Sequence, residues 1–142
     1  MIVLDCSAAL QIVKETELGK AFKSLFLPNE EVVAPELYAL EVANAVWKYV
    51  HAGRMGVADG RKMMEDALAL PDRLHPVDEL MHEIYAESVA LDHSVYDMTY
   101  MVLARRMGAT LCTYDARLRE CCAKRDVDHV VEMEFDPLPR IV

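Results

Sequence analysis

The chain has 142 residues, 54% hydrophobic and 27% charged, which fits one globular domain and argues against disorder. Its formal net charge of -9 argues against a general nucleic-acid binder, because such proteins neutralise phosphates with a basic surface. No apolar run approaches the roughly 18–20 residues of a membrane span, and no signal-peptide pattern opens the chain, so a cytoplasmic protein is expected.

In chain order, Ile2–Leu4 predicts a strand, followed by helices over Ser7–Lys14 and Glu17–Phe26. Asn29-Glu30 marks a turn, and Glu31–Ala34 reads as a short strand ended by Pro35. A long helix is predicted over Glu36–His51, stopped by Ala52-Gly53. Another spans Val57–Ala69 and is closed by Pro71. A strand near Leu74–Val77 and a helix over Glu79–Leu91 follow. Ser94 opens an apolar helix over Val95–Met107, ended by Gly108. A strand at Thr110–Thr113, a helix at Ala116–Lys124 and a strand near His129–Glu132 complete the chain. Short apolar strands separated by helices imply right-handed crossovers, hence an α/β fold with a central parallel sheet flanked by helices on both faces. No repeat or linker divides residues 1–142, so a single domain is expected.

Four acids occupy apolar surroundings in this pattern. Asp5 and Asp115 each follow a predicted strand, on the sheet edge where such folds bind ligands. If the two strands are neighbours, these acids come together. Glu41 and Asp97 interrupt apolar helices. At about 100° per residue, Glu41, Asn44 and Lys48 fall on a strip roughly 60° wide, which suggests a polar cleft facing a largely buried helix. Plainer roles exist for three of the acids. Asp5 and Asp115 suit helix N-caps, and Ser94-Val95-Tyr96-Asp97 matches a capping box. Glu41 caps nothing. Two carboxylates about 5 Å apart repel by ~3 kcal/mol at an effective dielectric near 20, so a cluster of four calls for a cation or for protonation. An all-oxygen set suits Mg²⁺ or Mn²⁺ rather than zinc.

The four cysteines, Cys6, Cys112, Cys121 and Cys122, lack C-x-x-C spacing and read as small buried hydrophobes. Residues 101–125 carry six basic groups against two acids. Arg105 and Arg106 there either close a helix C-terminus or form a phosphate-contacting rim.

The sequence resembles the PIN-domain family, and within it the VapC-type toxins of prokaryotic toxin–antitoxin pairs. The resemblance rests on Met1-Ile-Val-Leu-Asp5-Cys-Ser7, on Pro35-Glu-Leu-Tyr-Ala-Leu-Glu41-Val-Ala-Asn44-Ala-Val-Trp47, on Ser94-Val-Tyr-Asp97-Met-Thr-Tyr-Met-Val-Leu-Ala104 and on Leu111-Cys-Thr113-Tyr-Asp115. It departs from the family at Cys6 and Tyr114, neither of which is a ligand position. The resemblance implies an acidic quartet of Asp5, Glu41, Asp97 and Asp115, supported by Ser7, Asn44 and Thr113. It further implies a Mg²⁺-dependent endoribonuclease, with Mn²⁺ able to substitute, in which Asp5 and Asp97 hold the main ion and Glu41 and Asp115 are further or water-mediated ligands. An RNA substrate, a cognate antitoxin and a homodimer follow from the same resemblance. Rival readings are a phosphatase or receiver-like domain with Asp5 as nucleophile, which Ser7 disfavours by breaking D-x-D, and a non-catalytic interaction module. A PIN nuclease of RNA processing or repair is a third.

Overall fold

The computed structural model describes residues 1–24 and 30–130. Four parallel strands form one sheet among them: β1 (Ile2–Leu4), β2 (Val32–Pro35), β3 (Arg73–His75) and β4 (Thr110–Cys112), in the order β3-β2-β1-β4. All residues of β1 and β2 are buried, as the unbroken apolar runs require of strands covered on both faces. The chain steps from β1 to β2 through α1 (Cys6–Val13) and α2 (Glu17–Lys23), then to β3 through α3 (Leu37–His51) and α4 (Val57–Leu68). It returns to the far side of β1 through a 3₁₀ turn (Asp78–Leu80), α5 (Met81–Leu91) and α6 (Val95–Met107). After β4 comes α7 (Ala116–Lys124).

The reversal has a structural consequence. Right-handed crossovers place α1–α4 on one face and α5–α7 on the other. The packing agrees: α1 touches α2, α3 and α4, while α6 touches α5 and α7. The strand order switches between β1 and β4, so the crevice beyond their carboxyl ends is where a ligand site is built.

Helix α6 is the centre of the core. Every residue from Met98 to Ala104 is buried, and the helix lies against β1, β2 and β4. Gly108 ends it in the left-handed conformation (φ 59°), which glycine adopts without steric cost. Helix α3 departs from the expectation that its apolar residues are mostly buried. Leu40 and Trp47 are 74% and 56% exposed, so the helix presents an outer apolar face as well as its polar strip. Smaller differences concern ends. Pro35 closes β2 rather than following it, where a proline needs no ladder N–H of its own. The third strand begins at Arg73, and the helix predicted from Glu79 opens as the 3₁₀ turn. His129 makes a parallel bridge to Leu111. Val130 follows, its N–H donating to the Leu111 carbonyl at 3.0 Å; residues 131–132 of the predicted last strand, residues 25–26 of the helix predicted to Phe26, and Asn29 lie outside the described residues.

Helices α1 and α2 approach closely at Gly19, where an added Cβ would stand 1.8 Å from the Gln11 carbonyl oxygen. Backbone cannot rotate away as a side chain can. Gly→Ala inside a helix ordinarily stabilises by up to about 1 kcal/mol. Here Gly19→Ala is expected to destabilise by about 2 kcal/mol or more through overpacking. Urea unfolding checks this, and an unchanged or raised midpoint would contradict the packing described.

Candidate functional site

The parallel register of β1 and β4 pairs Leu4 with Cys112, so Asp5 and Thr113 leave the sheet side by side. The Asp5 N–H donates to the Cys112 carbonyl at 3.1 Å and holds the corner together. The Asp5 carboxylate is then surrounded by donors. Thr113 Oγ1 donates to its Oδ2 at 2.5 Å, while Ser7 Oγ (2.7 Å) and the Ala8 N–H (3.0 Å) donate to Oδ1. Both hydroxyls also accept, Ser7 from the Tyr114 N–H at 2.9 Å and Thr113 from the Asp115 N–H at 3.0 Å. Each hydroxyl spends its single proton on Asp5 and receives one from the backbone of the loop after β4. Asp5 is thus both the N-cap of α1 and the hub of a network joining two strand ends.

None of its partners is a cation. Burial pushes the Asp5 carboxyl up from the usual 3.8 to about 6, against the lowering effect of its three donors, and the charge of Glu41 adds to the rise. Asp5 is 6% exposed, so withdrawal from water dominates.

Glu41, in the middle of α3, accepts a 2.6 Å hydrogen bond from the Tyr100 hydroxyl of α6. Burial raises its pKa too; the Tyr100 bond opposes the rise and the Asp97 charge assists it. Asp97 lies in the first turn of α6. Only half of the predicted capping box forms: the Asp97 N–H donates to Ser94 Oγ at 3.2 Å. Its carboxylate turns instead to His93, whose Nε2 lies 2.8 Å from Asp97 Oδ2. Asp115 caps α7, its Oδ1 accepting from the N–H groups of Arg117 (2.8 Å) and Leu118 (3.3 Å). The capping roles foreseen for Asp5 and Asp115 are therefore real, and they leave Oδ2 of Asp115 uncommitted among the described residues.

All four acids line one cleft of about 330 Å³, together with Cys6, Ser7, Asn44, Lys48 and Tyr100. The strip Glu41, Asn44, Lys48 faces it as the helical spacing requires. Thr113 is buried behind the cleft and is tied to its lining through Asp5, Ser7 and the Asp115 N–H. Among the described residues, however, no three His, Cys, Asp or Glu side chains converge closely enough to hold an ion. Each carboxylate is instead engaged by its own donor: hydroxyls and an N–H on Asp5, the Tyr100 phenol on Glu41, His93 on Asp97 and helix N–H groups on Asp115. The donor set nonetheless fits a hard divalent cation, being all oxygen, with two members held above their ordinary pKa chiefly by burial.

Two members of the site had no sequence signal singled out. Tyr100 stands three residues after Asp97 and so shares its helix face, a spacing that could have revealed it. His93 precedes the helix, and only the folded turn brings its ring to Asp97. The basic stretch is also resolved. Arg105 and Arg106 pair with Glu83, and Arg105 and Arg125 with Glu87, so these arginines brace α5 against α6 and the end of α7 and do not form a rim. Three of the cysteines are buried and Cys6 borders the cleft, its thiol pushed up by burial to about 12.

Residues 2–124 match the PIN domain. The chain is 30% identical over 120 residues to a Mycobacterium bovis protein named VapC ribonuclease Mb0985, covering 84% of this chain and 90% of that one. It is 32% identical over 120 residues to Ribonuclease VapC12 of Mycobacterium tuberculosis (84% and 91%). It is 27% identical over 121 residues to Ribonuclease VapC3 of Pyrobaculum aerophilum (84% and 92%). The crystal structure of PAE2754 from Pyrobaculum aerophilum superposes with a TM-score of 0.73 at 23% identity, covering 98% of this chain and 96% of that one, and shares the fold. On the extent of these matches, the chain belongs to the PIN domain family.

Proposed function

We propose that this chain is a metal-dependent endoribonuclease of the VapC kind, the toxin of a toxin–antitoxin pair. One observation carries the reading: carboxylates from four separate elements line one cleft at the switch point of the sheet. The ribonuclease names of relatives that align over most of their length support the choice of RNA as substrate. Asp5, Glu41, Asp97 and Asp115 would hold Mg²⁺, with Mn²⁺ able to replace it. When bound, such an ion lowers the pKa of a water and offsets charge on the scissile phosphate.

The chain's own residues set the stage. Ser7 and Thr113 fix both oxygens of Asp5, Tyr100 fixes one oxygen of Glu41, and His93 fixes one oxygen of Asp97. Asn44 supplies an amide on the cleft wall, able to donate to a phosphate or a sugar hydroxyl. No described helix is long and apolar enough to cross a membrane, in keeping with a cytoplasmic setting. The reading includes a homodimer and a cognate antitoxin that covers the acidic cleft.

Cleavage of a labelled RNA pool tests the activity. With Mg²⁺ or Mn²⁺ the wild type is expected to yield 5′-phosphate and 3′-hydroxyl ends. EDTA abolishes this, and Asp97→Asn lowers it by about 100-fold or more. Equal cleavage by the variant would remove Asp97 from the site.

A second prediction follows from the raised Asp5 carboxyl. The folded state holds the Asp5 proton more tightly than the unfolded chain does. This contribution is therefore fully present below about pH 4 and is lost as pH rises through about 6. Between pH 4 and pH 7, the metal-free wild type is expected to lose about 2 kcal/mol relative to Asp5→Asn, with saturating Mg²⁺ restoring part of it. Chemical denaturation of both proteins across that range checks the sign. Parallel pH profiles would show that Asp5 is not strained in the absence of metal.

A further inference from the structure

An enzyme of net charge -9 that opens an acidic cleft toward a polyanion must attract the substrate somewhere else. Arg105, Arg106 and Arg125 are engaged by Glu83 and Glu87, which leaves that role to cations elsewhere around the cleft. Two clefts adjoin the acidic one, and each shares residues with it. On the α3 side, a cleft of about 360 Å³ shares Ala45 and Lys48 and is also lined by Tyr49 and Arg54. A second cleft, of about 320 Å³, has no residue in common with the first; it shares Asp97 and Asp115 with the acidic one and is lined further by His93, Ser94 and Arg117.

The three spaces therefore run in sequence, with carboxylates in the middle and cations at both ends. Lys48, Arg54 and Arg117 are exposed, and none makes a side-chain hydrogen bond or ion pair among the described residues. Lys14 adds a further positive charge beside the first end, where its ammonium lies 4.1 Å from the centre of the Tyr49 ring. One acid outside the quartet, Asp92, lines the far end with Arg117. Asp97 and Asp115 also line it but belong to the quartet, which leaves Asp92 as the one further acid set against the Arg117 guanidinium. The helices account for the placement. Lys48 is two turns beyond Glu41 on α3, and Arg117 is in the first turn of α7, two residues after Asp115.

We propose that these adjoining clefts form one track for an RNA strand, which enters along Lys48 and Arg54, crosses the carboxylates at the scissile phosphate and leaves along Arg117. This deepens the ribonuclease reading and rests on it for the position of the scissile phosphate. The two ends hold backbone phosphates on opposite sides of the bond to be cut, so binding requires nucleotides on both sides, as internal cleavage demands. Phosphate contacts of this kind position a strand without reading its sequence.

The test is a binding titration of a short fluorescein-labelled single-stranded RNA, with Ca²⁺ in place of Mg²⁺ and the RNA checked for integrity. Lys48→Ala and Arg117→Ala are each expected to weaken binding about 5- to 10-fold and to reduce the salt slope by about 0.7. The effects of the double variant add, because the two residues stand at opposite ends. Lys62→Ala, on α4 and paired with Asp66, leaves binding unchanged. The track is overturned if either groove substitution leaves affinity and salt slope at wild-type values, or if Lys62→Ala weakens binding equally. Cleavage in Mg²⁺, measured beside it, separates the two claims. Binding that depends on both cations without any cleavage keeps the track and removes the nuclease. Cleavage whose KM ignores both substitutions keeps the nuclease and removes the track.

Discussion

The bond from Thr113 Oγ1 to Asp5 Oδ2 joins residues 108 positions apart in sequence, and the geometry of the cleft depends on it. It exists because β1 and β4 are neighbours in parallel register, the one place where the sheet changes direction. Ser7 and the N–H groups of Tyr114 and Asp115 complete the same corner. Through it, the start of α1 and the start of α7 are set at a fixed separation, which places Asp5 and Asp115 on one wall. Helices α3 and α6, packed on opposite faces of the sheet, bring Glu41 and Asp97 to meet them over its edge.

That assembly concentrates negative charge in a partly dehydrated space, and each carboxylate is held there by its own hydrogen-bond donors. Hydroxyls serve Asp5, a phenol serves Glu41, a ring nitrogen serves Asp97 and helix N–H groups serve Asp115. Such partners lower the cost of each buried carboxylate without cancelling its charge. Burial outweighs these donors at Asp5 and Glu41, which remain harder to ionise than usual. A site neutralised by arginines would be stable and inert. Here no lysine or arginine is bonded to any of the four among the described residues, so the site keeps its appetite for a cation.

Much of this was legible in the sequence because local and global signals agreed. Val3 and Leu111, each in an apolar run ended by an acid, identified strands and the edge they point to. Glu41, Asn44 and Lys48 could be put on one strip by helical spacing alone. The Ser94 cap and Gly108 stop bounded α6 within its observed limits. What could not be read depends on contacts between elements. Nothing local says that the Asp97 carboxylate prefers His93 to the Ser94 backbone, or that Arg105 and Arg106 are claimed by Glu83 across the α5–α6 interface. Equally, the exposure of Leu40 and Trp47 could not be foreseen, since an apolar residue on a helix does not disclose whether another element covers it.

The four acids are proposed to act as one ion site although their side chains now have separate partners. A titration with Mn²⁺, followed by electron paramagnetic resonance, addresses that directly in the wild type and in the single variants Asp5→Asn, Glu41→Gln, Asp97→Asn and Asp115→Asn. A shared site predicts saturable binding that each substitution weakens, with paired substitutions costing less than the sum of the single ones. Binding that survives removal of Asp5 or Asp97, or no saturable binding by folded wild type, would contradict it.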